Sequence, residues 1–229
     1  MHIPDGFIGP GTSVAAGAVA VAGTAVAIRK AALALDEKRV PMAGLAAAFI
    51  FAAQMLNFPV AGGTSGHLLG GVLAAVLVGP WAGALCVTVV LFVQALMFAD
   101  GGLSALGLNV VNMALVGSLV GYAVFVAIRS VLPKRRTSVV LAAGIAAGLA
   151  PNMAALAFML EYAAGGNNAA PFGTVLGAML GVHTLIGIGE GVITAMTISS
   201  VLAVRPDLVH GAASVAPGAL ELRTVGEKV

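Results

Sequence analysis

The sequence predicts an all-α, polytopic membrane protein with seven transmembrane helices. Three observations carry that reading. Of the 229 residues, 60% are hydrophobic and only 9% are charged, where a soluble domain carries roughly 25% charged residues. Mean hydropathy is +1.06. The apolar residues fall into runs on the scale of the roughly 20 residues that a helix needs to cross the hydrocarbon core. The pI near 9.0 does not point to nucleic acid, because the cations sit in short groups between apolar runs, where membrane topology explains them. The single cysteine, Cys86, lies inside an apolar run, so no intramolecular disulfide can form and an inert buried thiol is expected. Residues 1–28 contain no Lys or Arg, so the basic region of a cleavable signal peptide is missing and the start of the chain is expected to be retained.

The first run covers about residues 12–35 and closes on Arg29-Lys30 and Asp36-Glu37-Lys38-Arg39. Pro41 suits the first turn of the second helix, about 42–56, which Asn57-Phe58-Pro59 ends. A loop of small residues, 62–67, precedes the third run, 68–78, and Gly79-Pro80 separates it from the fourth, 81–99. Asp100-Gly101-Gly102 leads into the fifth, 103–128, which carries Asn109 and Asn112. The sixth, 138–162, is expected to be interrupted at Pro151-Asn152 and ends in the loop 165–168. The seventh, 171–204, holds His183 and Glu190, and its length suggests tilt or a break near its glycines. Recurrent small-xxx-small pairs (79/83, 117/121, 144/148, 173/177/181, 187/191) predict close helix packing.

An odd number of spans puts the termini on opposite sides. Every Lys and Arg then falls after span one, after span five or in the tail, all on one side, while Asp5, Asp100 and Glu161 fall on the other. The positive-inside rule therefore places the N-terminus outside and the C-terminus in the cytoplasm. One integral-membrane domain is expected over 1–204, with 1–11 as a metal-binding segment and 205–229 as a cytoplasmic tail.

Polar groups inside a membrane need a partner or a purpose. The amides Gln54, Asn57, Gln94, Asn109, Asn112 and Asn152 are expected mainly to form interhelical hydrogen bonds. His2 is different, because a free α-amine, the next backbone amide nitrogen and an imidazole at position two close fused chelate rings around one ion. Three nitrogens then lie in a plane, a field preferred by Ni(II) and Cu(II) over zinc. His67, on the same face, can supply a fourth. A bulky second residue blocks removal of Met1, whose amine is then available, and Pro4 and Gly6 let the segment fold back toward the helices. Two other readings compete. Gly63-Thr64-Ser65-Gly66 matches the pattern of rhomboid-like intramembrane serine proteases, with Ser65 pairing to His183 as nucleophile and base. Glu190 can mark the route of a proton-coupled secondary transporter or simply tie helices together. His183, seven residues earlier on the same helical face, is a candidate to orient a metal ligand.

Met1-His2-Ile3-Pro4-Asp5-Gly6, the stretch Gly-Thr-Ser-Gly-His-Leu-Leu-Gly-Gly at 63–71, Asp100-Gly101-Gly102 with Leu106-Gly107, Asn109 and Asn112-Met113, and 181–191 around His183 and Glu190 resemble the cobalt/nickel substrate-binding membrane component (S component, CbiM/NikM type) of energy-coupling-factor (ECF) transporters. The resemblance runs from Met1 to about the seventh span. It implies the capture subunit of an ABC-type importer in the cell (cytoplasmic/inner) membrane, with Ni²⁺ or Co²⁺ as transported ligand and no cofactor. It implies metal ligation by the Met1 amine, the His2 amide and imidazole nitrogens and His67, with Asn109 and Asn112 bracing the surrounding loops and Ser65, His183 and Glu190 as supporting residues. The implied partners are a transmembrane coupling protein, cytoplasmic ATPases and a small accessory membrane protein on a separate chain. The chain carries no GxxxxGK[ST] phosphate loop, so ATP hydrolysis falls to a partner, and no catalysed reaction is expected.

Overall fold

A computed structural model describes residues 1–37, 39–60, 65–167 and 170–215. Lys38, residues 62–64 of the small-residue loop with Thr64 of the serine-protease pattern, Asn168 of the polar loop, and the tail beyond residue 215 lie outside the described residues. The helices are α1 (Pro10–Ala34), α2 (Arg39–Gln54), α3 (Gly71–Val78), α4 (Pro80–Met97), α5 (Leu106–Val131), α6 (Arg136–Gly165) and α7 (Phe172–Val204). This matches the expected count of seven, and α1, α4, α5, α6 and α7 are long and apolar enough to cross a membrane. Helices α1 and α4 each begin on a proline, Pro10 and Pro80, whose missing N–H costs nothing in a first turn.

The third run departs from expectation. With eight residues, α3 rises only about 12 Å, less than half of a hydrocarbon core of about 30 Å. The chain before it is not helical. Strands β1 (Phe58–Pro59) and β2 (Ser65–Gly66) pair antiparallel, with Phe58 opposite Gly66 and Pro59 opposite Ser65. Residues 67–70 then continue without helix, with His67 and Leu69 fully buried, until α3 begins at Gly71. Irregular backbone survives at such depth only where protein groups satisfy it. Gln54 Nε2 donates to the Leu69 carbonyl at 2.8 Å, and the amides of Leu69 and Gly70 donate to the two carboxylate oxygens of Glu190 at 2.8 and 2.9 Å. All eight residues of α3 are buried, which is why this run is apolar all round and shows no helical stripe.

Two other expectations are corrected. Helix α6 passes through Pro151 without a break, the proline being buried in a 30-residue helix. Helix α7 runs unbroken for 33 residues despite its glycines. Some of those glycines explain its tight packing. A Cβ on Gly191 would stand 2.7 Å from the Gly144 carbonyl oxygen, and one on Gly187 would meet that of Gly148, so α6 and α7 touch backbone to backbone. The set Gly173, Gly177 and Gly181 faces open space, with nothing within 4 Å of an added Cβ. The small-residue pattern therefore marks an interface at the middle of α7 and none toward its N-terminal end. Cys86 is buried, as expected, and its thiol donates weakly to the Ala43 carbonyl.

The two ends of the bundle differ in character. Residues 1–9 close one end: Ile8 bridges Gly166, Gly9 N donates to Gly165 O at 2.6 Å, and Asn167 N donates to Phe7 O at 3.1 Å. Phe7 stacks on Phe158 and Tyr162 at 5.9 and 5.4 Å between ring centres. Burial of Met1, Ile3, Phe7 and Ile8, each worth about 1.5–3 kcal/mol, sets the segment into the helices. The described cations Arg29, Lys30, Arg39, Arg129, Lys134, Arg135, Arg136 and Arg205 sit where α1, α5 and α7 finish or where α2 and α6 start, which is the other end.

Candidate metal centre

The terminal segment is placed by three anchors. Asn109, at the start of α5, accepts the Ile3 N–H on its Oδ1 at 2.9 Å and donates through Nδ2 to the Ile3 carbonyl at 3.4 Å. The Gly102 amide also donates to Ile3 O, at 2.9 Å. Asp5 accepts both the amide and the hydroxyl of Ser104 on one oxygen, and those bonds hold its carboxyl below the ordinary value. Together they draw the first two residues inward until Met1 is 1% and His2 4% exposed.

His67 is brought to them by the extended segment below β2 and is fully buried. Its ring stacks on that of His2 with centres 4.6 Å apart and planes inclined by 29°. With metal–nitrogen bonds of about 2.0 Å, two imidazoles on adjacent corners of one ion have centres roughly 4–5 Å apart, so the observed separation suits a shared ion. His67 Nδ1 lies 2.8 Å from the Leu68 carbonyl and serves as donor to it. The lone pair therefore sits on Nε2, which is buried and without a partner. Burial pushes the Met1 amine, His2 and His67 well below their ordinary values, and the neighbouring amine adds to the effect on both histidines. Neutral nitrogens with free lone pairs are what metal ligation requires. Among the described residues no three His, Cys, Asp or Glu side chains form a cluster able to hold an ion, so a nitrogen site here has to draw on the main chain, as the terminal amine and amide allow.

The other expected residues divide. Asn109 braces the terminal segment directly. Asn112 does not: its Nδ2 donates to Glu161 Oε2 across α5 and α6 at 2.6 Å. Glu190 caps the backbone two and three residues after His67, just before α3. His183 is buried near His67 and the terminal amine, but its Nδ1 bonds the Met179 carbonyl of its own helix at 2.7 Å and its Nε2 has no partner. It therefore orients no ligand through a hydrogen bond. Ser65 Oγ is buried and has no partner either, so the Ser65–His183 pair that a serine protease needs is not formed. With both Glu190 oxygens occupied by backbone amides, a proton-carrying role for that residue has no support.

Several contributors escaped the sequence reading. Ile3, Ser104, Gln54 and Asp100 surround the site; Asp100 and Gly101 belong to a motif whose residues alone assign them no part. Residues 2–208 match the family described as the cobalt uptake substrate-specific transmembrane region, CbiM. A putative metal transport protein of Haloquadratum walsbyi is 42% identical over 212 residues, covering 91% of this chain and 93% of that one. A putative fused nickel transport protein NikMN of Archaeoglobus fulgidus is 41% identical and aligns with 100% of this chain and 74% of its own length. The cobalt transport protein CbiM of Sorangium cellulosum is 34% identical over 96% of this chain and all of that one. The crystal structure of a truncated transition metal transporter superposes with a TM-score of 0.80 at 36% identity, covering 89% of this chain and 99% of the other. The chain belongs to the CbiM family of multi-pass membrane components of cobalt and nickel transport.

Proposed function

We propose that this chain captures Ni²⁺ or Co²⁺ in a square-planar field of four nitrogens: the Met1 amine, the deprotonated His2 amide, His2 Nδ1 and His67 Nε2. The observation that carries this reading is the buried chain terminus whose second residue stacks at 4.6 Å on a histidine with an unpartnered Nε2. Amine and amide close a five-membered ring on the ion, and amide and Nδ1 close a six-membered one. Asn109 holds this chelate in place, and Glu190 holds the segment that presents His67. Relatives named for nickel and for cobalt transport support both ions as cargo. A nitrogen plane favours Ni(II) over Co(II) by intrinsic affinity.

The captured ion is passed to an ECF-type importer made of a transmembrane coupling protein, cytoplasmic ATPases and a small accessory membrane protein. The membrane orientation follows from the cations: the site faces outside, and the end bearing Arg29, Lys30 and Lys134 to Arg136 faces the cytoplasm. In this arrangement residues 1–204 form one metal-binding membrane domain and 205–229 a cytoplasmic tail. Extending the chain tests the reading at its most exposed point. One alanine placed before Met1 moves the α-amine out of the five-membered ring it closes with the His2 amide, and metal accumulation in cells carrying the whole transporter falls to background. Accumulation equal to that of the unextended chain contradicts the proposal.

A further inference from the structure

The loop between α4 and α5 is shaped around His2. Ala99 takes a φ of +51° and Gly101 one of +91°, left-handed values that a non-glycine residue such as Ala99 rarely adopts. A Cβ on Gly101 would stand 3.0 Å from both His2 Nδ1 and Asn109 Nδ2, so the loop backbone lies against the imidazole itself. This strained path sets the Asp100 carboxylate beside the other edge of the ring: Oδ2 is 3.5 Å from His2 Nε2, which has no hydrogen-bond partner. The same oxygen accepts from Asn57 Nδ2 at 2.9 Å, just ahead of the strand pair that leads to His67. One carboxylate thus lies beside the His2 ring and holds Asn57, the residue just before β1.

We propose that Asp100 is a positioning carboxylate of the metal centre: it accepts the Nε2–H of His2, fixes Nδ1 as the ligand nitrogen, and neutralises the bound complex. The inference rests on the four-nitrogen site above and goes beyond it. Only Nδ1 can close a six-membered ring with the His2 amide, and a ring that binds through Nδ1 carries its proton on Nε2, facing Asp100. Carboxylates in this position orient a metal-bound imidazole and raise its basicity. The charge count points the same way. A divalent ion with one deprotonated amide retains a single positive charge, and the described Lys and Arg side chains all lie at the opposite end of the bundle. Asp100 cancels that charge in a site from which water is largely excluded, where an uncompensated ion is costly.

Ni(II) titration of the purified full chain tests this with Asp100→Asn, which keeps an acceptor but loses the charge, and Asp100→Glu, which keeps both. Expected are a loss of affinity on the order of 10–100-fold in Asp100→Asn, recovery of most of it in Asp100→Glu, an unchanged melting temperature of both metal-free variants, and a shifted Ni(II) absorption band in Asp100→Asn at saturation. Wild-type affinity and spectrum in Asp100→Asn, in a preparation where His67→Ala abolishes binding, overturn the role of Asp100 and leave the four-nitrogen site standing. A matching fall in metal-free melting temperature for both variants also overturns it, since a structural role then accounts for the loss. Failure of the wild-type chain to bind Ni(II), or full binding by His67→Ala, overturns the four-nitrogen site and this inference with it.

Discussion

At His67 a single bond decides the chemistry. By giving Nδ1–H to the Leu68 carbonyl at 2.8 Å, the ring keeps its lone pair on Nε2, where the ion is proposed to sit. Burial has already lowered the affinity of the Met1 amine, His2 and His67 for protons. Their folded values lie below their unfolded ones, so folding favours the neutral, lone-pair forms that bind metal. Only the His2 amide proton then remains to be displaced. Ni(II) affinity is therefore expected to rise about tenfold per pH unit between roughly pH 7 and 8, the signature of one proton released per ion. Titrations at several pH values check this; a slope near zero excludes the amide as ligand, and a slope near three shows that the other donors are protonated in the free protein. The proposed donors Met1, His2 and His67, which the structure buries side by side, could be picked out in the sequence because their chemistry depends on residue type and on position in the chain. Glu190 was also singled out, but that it would cap Leu69 and Gly70, and that Asp100 would lie beside His2, was not legible, because such contacts join residues as far apart as 121 positions and nothing local in the sequence records the meeting.

At the level of elements, hydropathy located every helix within a few residues, since the cost of exposing polar backbone to lipid leaves little choice. It did not show that the run at 68–78 opens with non-helical residues before α3 begins at Gly71, because a segment enclosed by protein is apolar whether or not it is helical. Nor did it show that Pro151 is tolerated inside α6, since neighbouring helices can accommodate a freed carbonyl. The glycine pairs divide by what they face, which spacing alone cannot reveal. Gly187→Val puts a side chain into the Gly148 carbonyl and is expected to lower the melting temperature in detergent strongly, by several kcal/mol in stability if the helices are forced apart. Gly177→Ala, at an open position, is expected to leave it unchanged or slightly raised, as alanine is the better helix former. Equal effects from the two substitutions contradict the assigned α6–α7 interface.

For the whole molecule, the bundle serves to hold a chain terminus where a terminus is rarely found. Residues 1–9 are drawn in by Asn109, by Asp5 on Ser104 and by Phe7 against Phe158 and Tyr162, while Gln54 and Glu190 secure the loop that meets them. Seven helices, one irregular loop and the terminal segment thus bring Met1, His2 and His67 together in the interior. The central claim is that the terminus itself completes a planar nitrogen site. The absorption and magnetic properties of the purified chain loaded with Ni(II) test it most directly: a yellow, diamagnetic centre is expected from a square-planar field, and a paramagnetic, octahedral centre would contradict it.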